Sequence, residues 1–149
     1  MKASIVLIPG MMCTKDVFTH QINYLNNYFN VIVLEFNQYD NIVSGVKDLV
    51  TNLPREFHLL GHSMGGIVAM EILRQCNERV LSLTLLNTNP YEEKQELREK
   101  RNQRLKELDE LDLITLMKSH YIARYFPSNC KHRSNLIDKC VDMVLKLDK

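Results

Sequence analysis

One serine of this chain lies in a setting that suits nucleophilic chemistry. The segment GHSMG, residues 61–65, follows the short apolar run FHLL and precedes a stretch with helical periodicity. A serine on a sharp strand-to-helix turn has a strained backbone, and its hydroxyl stands above the sheet. Side chains two positions to either side would collide there, so such a turn uses glycine. The pattern predicts that Ser63 is a nucleophile and that Gly61 and Gly65 are the glycines of its turn.

The alternative is an ordinary strand-to-helix turn with an incidental serine. Three fixed positions of common residue types would match by chance in roughly one chain in twenty of this length. The sequence context favours the functional interpretation. The chain has only five glycines, and Gly10, Gly61, Gly65 and Gly66 all lie in two strand-end turns.

The second of these turns is LIPGMMC, residues 7–13, which follows the apolar run SIVLI. A serine that attacks a carbonyl needs two hydrogen-bond donors for the oxyanion, and backbone amides supply them in this architecture. We expect one donor from Met64 and the other from Met11. The side chains of Met11 and Met12 would give the site an adaptable apolar wall. A tight turn with core methionines is the alternative.

Short apolar runs alternate with amphipathic stretches through the first ninety residues. The patterns predict strands over 4–8, 31–36, 57–60 and 80–87, with helical stripes over 14–29, 42–53 and 68–76. Strands joined by helices of this length lie parallel, through right-handed crossovers. The predicted fold class is therefore α/β, with four parallel strands, helices on both faces and the spatial order second, first, third, fourth. Ser63 would then lie at the carboxyl end of the third strand.

The rest of the chain does not continue this alternation. Residues 92–112 are dense in charges of both signs, which is typical of a solvated helix face. A further helix is expected over 135–147. A buried side for the charged segment and its continuation is expected from six apolar residues: Leu97, Leu105, Leu108, Leu111, Ile114 and Met117.

The overall composition is that of a globular domain. Hydrophobic residues make up 45% and charged residues 25%, and the net charge is +1. This balance gives no reason to expect nucleic acid or an anionic membrane as a partner, and no segment is apolar enough to span a bilayer. The four cysteines contain no CxxC pair, so we expect reduced thiols and a cytoplasmic protein. We expect neither a metal nor a cofactor.

Three segments together resemble the N-terminal part of an α/β-hydrolase: LIPGMMC, GHSMGGIVAMEILRQ and ERVLSLTLLNTNP. The resemblance implies that residues 1–90 form the hydrolase core and that residues 91–149 form a helical cap-like segment. It also implies that Ser63 is the nucleophile, with backbone donors at Met11 and Met64. A serine at this turn, where related enzymes have aspartate, indicates acyl transfer. The implied substrate is a small ester, thioester, amide or C–C-cleavable acyl compound.

The same resemblance implies a partner acid and a histidine that would follow further strands, and the chain ends before any of them. The expected C-terminal part, which bears the acid and the histidine, is therefore absent from this chain. The segment NTNP, residues 87–90, offers no carboxylate. His20 and His58 are expected to be surface or packed histidines, and His62 adjoins Ser63 but should project in a different direction. His120 and His132 lie in the cap-like segment and could approach Ser63 from above.

These observations leave three hypotheses for function. The first is a serine hydrolase whose missing half comes from a second polypeptide or was lost. The second is a non-catalytic remnant or half-domain that binds a ligand or a complementary hydrolase chain. The third is an unrelated α/β binding module. The fourth strand would be an apolar sheet edge, so we also expect a complementary chain or self-association there.

Overall fold

The structure is a computed structural model that describes residues 2–107 and 112–147. The chain divides into two compact units, Met1–Pro90 and Tyr91–Lys149. The first unit alternates strands and helices. Its elements are β1 (Ser4–Ile8), α1 (Thr19–Leu25), β2 (Asn30–Val33), α2 (Ile42–Val50), β3 (Phe57–His62), α3 (Met64–Cys76) and β4 (Val80–Leu86).

The four strands form one parallel sheet in the order β2-β1-β3-β4. The predicted fold class and strand order are therefore confirmed. β1 lies in the interior of the sheet and pairs with both β2 and β3, with Leu7 opposite Val33 on one side and Leu60 on the other. The carboxyl ends of β1 and β3 consequently lie side by side, and the two glycine-containing turns follow from these ends.

Helices cover both faces of the sheet. Alternate residues of β1 point to opposite sides, so Val6 packs with α2 and α3 while Leu7 packs with α1. Phe57 and Leu59 of β3 join the α2–α3 side, which forms the larger core. The apolar character of β1 on both faces, visible in the sequence, reflects this two-sided burial.

The second strand and the first helix differ most from the prediction for the first unit. The second strand was predicted over 31–36, but β2 ends at Val33. The Leu34 amide still donates to the Leu7 carbonyl at 2.9 Å, and β1, the partner strand, ends at Ile8. Phe36 instead enters the larger core. The helix predicted over 14–29 is a 3-10 turn, Lys15–Phe18, followed by α1.

The start of α2 agrees with the sequence. The side chain of Asn41, the residue before α2, accepts a hydrogen bond from the Ser44 amide at 3.0 Å. A side-chain oxygen at this position satisfies one of the amide groups that a helix leaves open at its beginning.

The second unit is helical in its described part. It contains α4 (Gln95–Glu107), α5 (Leu113–Met117), a π-helical turn (Lys118–Ile122), α6 (Ala123–Tyr125) and α7 (Arg133–Leu147). The prediction that α4 has a buried apolar side is wrong. Leu97 and Leu105 are more than half exposed, and the rest of the helix is entirely charged or polar. Met117 is buried as expected, and Leu108 and Leu111 lie outside the described residues.

β4 is an edge of the sheet, because in the described part of the chain it pairs only with β3. It is seven residues long and carries no charge or proline, the features that commonly protect an edge strand. Leu83 packs against the larger core, while Leu81 and Leu85 are 53% and 40% exposed. The edge therefore presents both unpaired backbone groups and apolar side chains.

We expect this edge to drive self-association of the isolated chain. The substitution Leu85→Lys places a charge on the exposed strand and should shift the assembly toward monomer. Sedimentation velocity across a concentration series measures this shift. The control is Leu145→Lys on α7, where the native leucine is 44% exposed. A wild-type chain that stays monomeric at high concentration would contradict the expectation.

Candidate active site

The turn between β3 and α3 has the geometry expected of a strained nucleophile position. Ser63 has φ 53° and ψ −120°, in the region that L-residues rarely adopt. It lies directly at the carboxyl end of β3 and immediately before α3. The prediction that Ser63 occupies this position with positive φ is confirmed.

Close backbone contacts explain the glycines of the turn. A Cβ atom at Gly61 would lie 2.6 Å from the Gly66 Cα, and a Cβ atom at Gly65 would collide with the carbonyl oxygens of Ile8 and Pro9. The turn therefore folds back on itself at Gly61 and presses against the end of β1 at Gly65. Only residues without a side chain fit these two places.

The backbone of Ser63 is held on both sides. Its amide donates to the Leu86 carbonyl at 2.8 Å, and its carbonyl accepts from the Gly66 amide at 2.9 Å. Its hydroxyl, in contrast, makes no capping hydrogen bond to α3, although serine at the start of a helix commonly does so. The strained backbone therefore fixes the residue while its hydroxyl stays out of the helix cap.

The turn after β1 lies against the Ser63 turn. The Cys13 amide donates to the Gly10 carbonyl at 3.1 Å, and Met12 has φ 58°. A Cβ atom at Gly10 would lie 3.1 Å from the Ser63 Cβ, so the two turns are in direct contact. Met11 follows Gly10 and its side chain is exposed, while Met64 begins α3. The convergence of the Met11 and Met64 amides on one oxyanion position stays a prediction.

The His62 side chain packs next to the contact between the Gly10 and Ser63 turns. Its ring meets the Phe18 ring edge-on, with 6.4 Å between centroids, and its Nδ1 would lie 3.1 Å from a Cβ at Gly10. Nδ1 is buried and has no hydrogen-bond partner among the described residues. Burial lowers the pKa of His62 below its usual value, so the neutral imidazole is the favoured form.

The pKa of His62 predicts how stability depends on pH. An unfolded chain protonates this histidine near pH 6.5, whereas the folded chain does so only at lower pH. The unfolded state binds more protons in that window, so the free energy of unfolding should fall as the pH drops below about 6.5. Urea unfolding between pH 7.5 and 5 measures the fall.

The variant His62→Phe provides the control for that titration. It keeps an aromatic ring against Phe18 and removes the titrating group, so its stability should fall less steeply over the same pH range. Other titrating groups contribute to both proteins, and their effects cancel in the difference between the two curves. Identical slopes would show that His62 titrates alike in the folded and unfolded chains.

The other two histidines of the first unit are a surface histidine and a packed histidine, as predicted. His20 is exposed on α1, and His58 pairs its Nδ1 with the Ser82 hydroxyl at 2.8 Å and packs edge-on against Phe29. None of the three histidines of this unit, His62 included, bonds a carboxylate in the described structure. Ser63 thus has no histidine–carboxylate pair from its own unit.

The two histidines of the second unit stay candidates for the general base. His132 has φ 58° and immediately precedes α7. The side chain of His120 lies outside the described residues.

Sequence reasoning missed two residues next to Ser63. Asn87 has φ 47°, and Thr88 packs closely against Gly66. The available signal was an asparagine at the end of a strand, because asparagine is one of the few residues besides glycine that tolerate positive φ.

The described part of the chain contains no disulfide, no cluster of potential metal ligands and no membrane-spanning helix. All four cysteines are thiols. Among the residues described, no group of three or more potential metal ligands is found. Within residues 2–107 and 112–147, no helix is both long and apolar enough to cross a bilayer.

A family model and a curated relative match parts of this chain. Residues 4–129 match a family model described as a thioesterase domain. An uncharacterized protein of Synechocystis is 39% identical over 46 residues, which are 31% of this chain and 18% of that protein.

Two solved structures share the fold. An esterase from Thermogutta terrifontis has a TM-score of 0.82 and 21% identity, with coverage of 99% of this chain and 59% of that one. A hydrolase from Pseudomonas aeruginosa has a TM-score of 0.79 and 18% identity, with coverage of 96% and 58%. The chain thus spans less than two thirds of each of these hydrolases.

Proposed function

The chain belongs to the thioesterase domain family of the α/β-hydrolase superfamily, and we propose that it forms the site of an acyl-transferring serine hydrolase. Ser63 is the proposed nucleophile. The observation that carries this proposal is the conformation of Ser63. Its backbone is strained, with φ 53°, and its hydroxyl makes no capping hydrogen bond to α3. Strain of this kind is typical of residues held for chemistry. The proposed substrates are small esters and thioesters, with amides as a slower class.

The proposed reaction begins with attack of the Ser63 Oγ on the acyl carbon. The hydroxyl proton passes to a base, and the carbonyl oxygen becomes an oxyanion that accepts hydrogen bonds from the backbone amides of Met11 and Met64. The C–O or C–S bond to the leaving group then breaks, and the alcohol or thiol takes the proton. Water finally hydrolyses the acyl-serine and restores the hydroxyl.

This mechanism also requires a general base. A serine hydroxyl is a weak nucleophile until a neighbouring group takes its proton. We propose that this group is a histidine of a complementary chain, and His120 and His132 are the alternatives within this chain. The sequence expectation of an incomplete catalytic set becomes part of the same proposal.

One observation favours the second candidate, a half-domain that binds an acyl ligand or a hydrolase chain without turnover. Within the described part of Met1–Pro90, no histidine bonds a carboxylate, so the pair that would activate Ser63 is not formed there. The strained turn and the exposed edge of β4 would then serve ligand and partner binding.

Hydrolysis of matched substrates separates the candidates. The substrates are p-nitrophenyl butyrate and the butyryl thioester of N-acetylcysteamine. We expect turnover above buffer that Ser63→Ala abolishes and Ser134→Ala leaves unchanged, since Ser134 is exposed on α7. Turnover that persists in Ser63→Ala would contradict the proposed nucleophile. Binding of butyrate esters without any turnover would favour the half-domain.

A further inference from the structure

Three of the four non-glycine residues with positive φ in the described chain follow neighbouring strands of the sheet, and the fourth is His132 in the second unit. Among the described residues, Met12 after β1, Ser63 after β3 and Asn87 after β4 have φ of 58°, 53° and 47°. Each such conformation is unfavourable for a residue with a side chain, and clusters of them occur where structure serves a site. The first two belong to the turns of the candidate site. Asn87 has no role in the proposed mechanism.

Asn87 is the neighbour of Ser63 across the sheet. The last residue pair of β3 and β4 is His62 with Leu86, and Ser63 and Asn87 each follow that pair. The bond from the Ser63 amide to the Leu86 carbonyl, 2.8 Å, ties the two strand ends together. Two residues that are neighbours across the sheet therefore both have positive φ.

The residue after Asn87 contacts the first turn of α3. A Cβ atom at Gly66 would lie 2.7 Å from the Thr88 Cβ and 2.8 Å from its Oγ1, so the Thr88 side chain occupies the space that a larger residue 66 would need. The Gly66 amide is the group that bonds the Ser63 carbonyl at 2.9 Å. Thr88 thus packs on the residue that closes the serine turn.

We propose that Asn87 and Thr88 form a clasp that holds the Ser63 turn. The positive φ of Asn87 directs the chain from β4 back toward α3, and Thr88 then presses on Gly66 and fixes the first turn of that helix. This turn carries the Met64 amide, so the clasp positions an oxyanion donor. Both are positioning residues, and their effect on catalysis rests on the proposed function of Ser63.

The clasp is tested by substitutions that change one property at a time. Asn87→Val places a β-branched residue where φ is positive, whereas Asn87→Gly adopts this conformation without strain. Thr88→Gly removes the packing, and Thr88→Val keeps its shape. The control is Asn30→Val, the same change at an exposed strand residue.

Two readouts are measured on each protein. The first is hydrogen exchange of the Gly66 amide by NMR, with the Val68 amide of the same helix as an internal reference. The second is the rate of Ser63 butyrylation. We expect Asn87→Val and Thr88→Gly to lower the protection of Gly66 and the acylation rate by at least tenfold, while Val68 is unchanged. Asn87→Gly, Thr88→Val and Asn30→Val should stay within threefold of wild type.

The outcomes separate the clasp from the proposed function. Unchanged protection of Gly66 in Asn87→Val overturns the clasp, and so does an equal loss at Gly66 and Val68, which would mean general destabilisation. If Gly66 responds as expected but no variant or wild-type chain is acylated at Ser63, the clasp stands and the proposed nucleophile fails.

Discussion

Replacing Gly65 by alanine should lower the free energy of unfolding by about 3 kcal/mol or more. The added methyl group would collide with the carbonyl oxygens of Ile8 and Pro9, which belong to the backbone at the end of β1. Neither carbonyl can move without displacing the interior strand of the sheet. The same collision would separate the Ser63 turn from the Gly10 turn, so any acylation of Ser63 should be lost as well.

Urea unfolding of Gly65→Ala beside Gly45→Ala measures this effect. Gly45 is a buried helical glycine of α2, and its added Cβ would lie 2.7 Å from ring atoms of Phe36 and Tyr39. The neighbours here are side chains and not the backbone of an interior strand, and alanine favours a helix by about 1 kcal/mol over glycine. We therefore expect Gly45→Ala to lower the free energy of unfolding by less than Gly65→Ala does. Equal losses for both variants would contradict the close packing of the two strand ends.

The 149-residue chain alone should hydrolyse activated esters slowly, and Ser63→Ala should reduce that rate to background. An oxyanion hole and binding alone leave an acceleration of roughly 10³–10⁴ in serine hydrolases that lack part of their catalytic set. Complete enzymes reach total accelerations of roughly 10⁶–10¹⁷. The expected rate follows from the absence of a histidine–carboxylate pair in the described part of the first unit.

Steady-state assays with His120→Ala and His132→Ala complete this test. If neither histidine acts on Ser63, both variants should hydrolyse p-nitrophenyl butyrate at the wild-type rate. A large loss in one of them would identify that residue as the base. Fast, saturable turnover by the wild-type chain would show that its catalytic set is complete and would contradict the expectation.

The sheet and the Ser63 turn could be predicted because local patterns determine both. β1 and β3 begin as short apolar runs, SIVLI and FHLL, with a glycine close behind each run, and burial on both faces requires such runs. The positive φ of Ser63 follows from the glycines at 61 and 65, which are needed only if the chain reverses sharply between them.

Other features depend on tertiary neighbours and left no local signal. β2 stops at Val33 because its partner strand turns away, although residues 34–36 have strand-like composition. Leu97 and Leu105 have a spacing compatible with a buried face, yet both are exposed on α4. Thr88 could not be assigned to the Ser63 turn, since its contact with Gly66 joins α3 to the segment that follows β4.

Direct detection of an acyl group on Ser63 tests the central claim. Trypsin releases residues 56–74 as one peptide, in which Ser63 is the only hydroxyl-bearing residue and which contains no lysine or cysteine. The chain is mixed with p-nitrophenyl butyrate, quenched in acid at early times, digested and examined by mass spectrometry. A slow second step would let the acyl-serine accumulate, so we predict one butyryl group on this peptide and none in Ser63→Ala. An unmodified 56–74 peptide during ester hydrolysis, or a butyryl group that persists in Ser63→Ala, would contradict the assignment of Ser63 as the nucleophile.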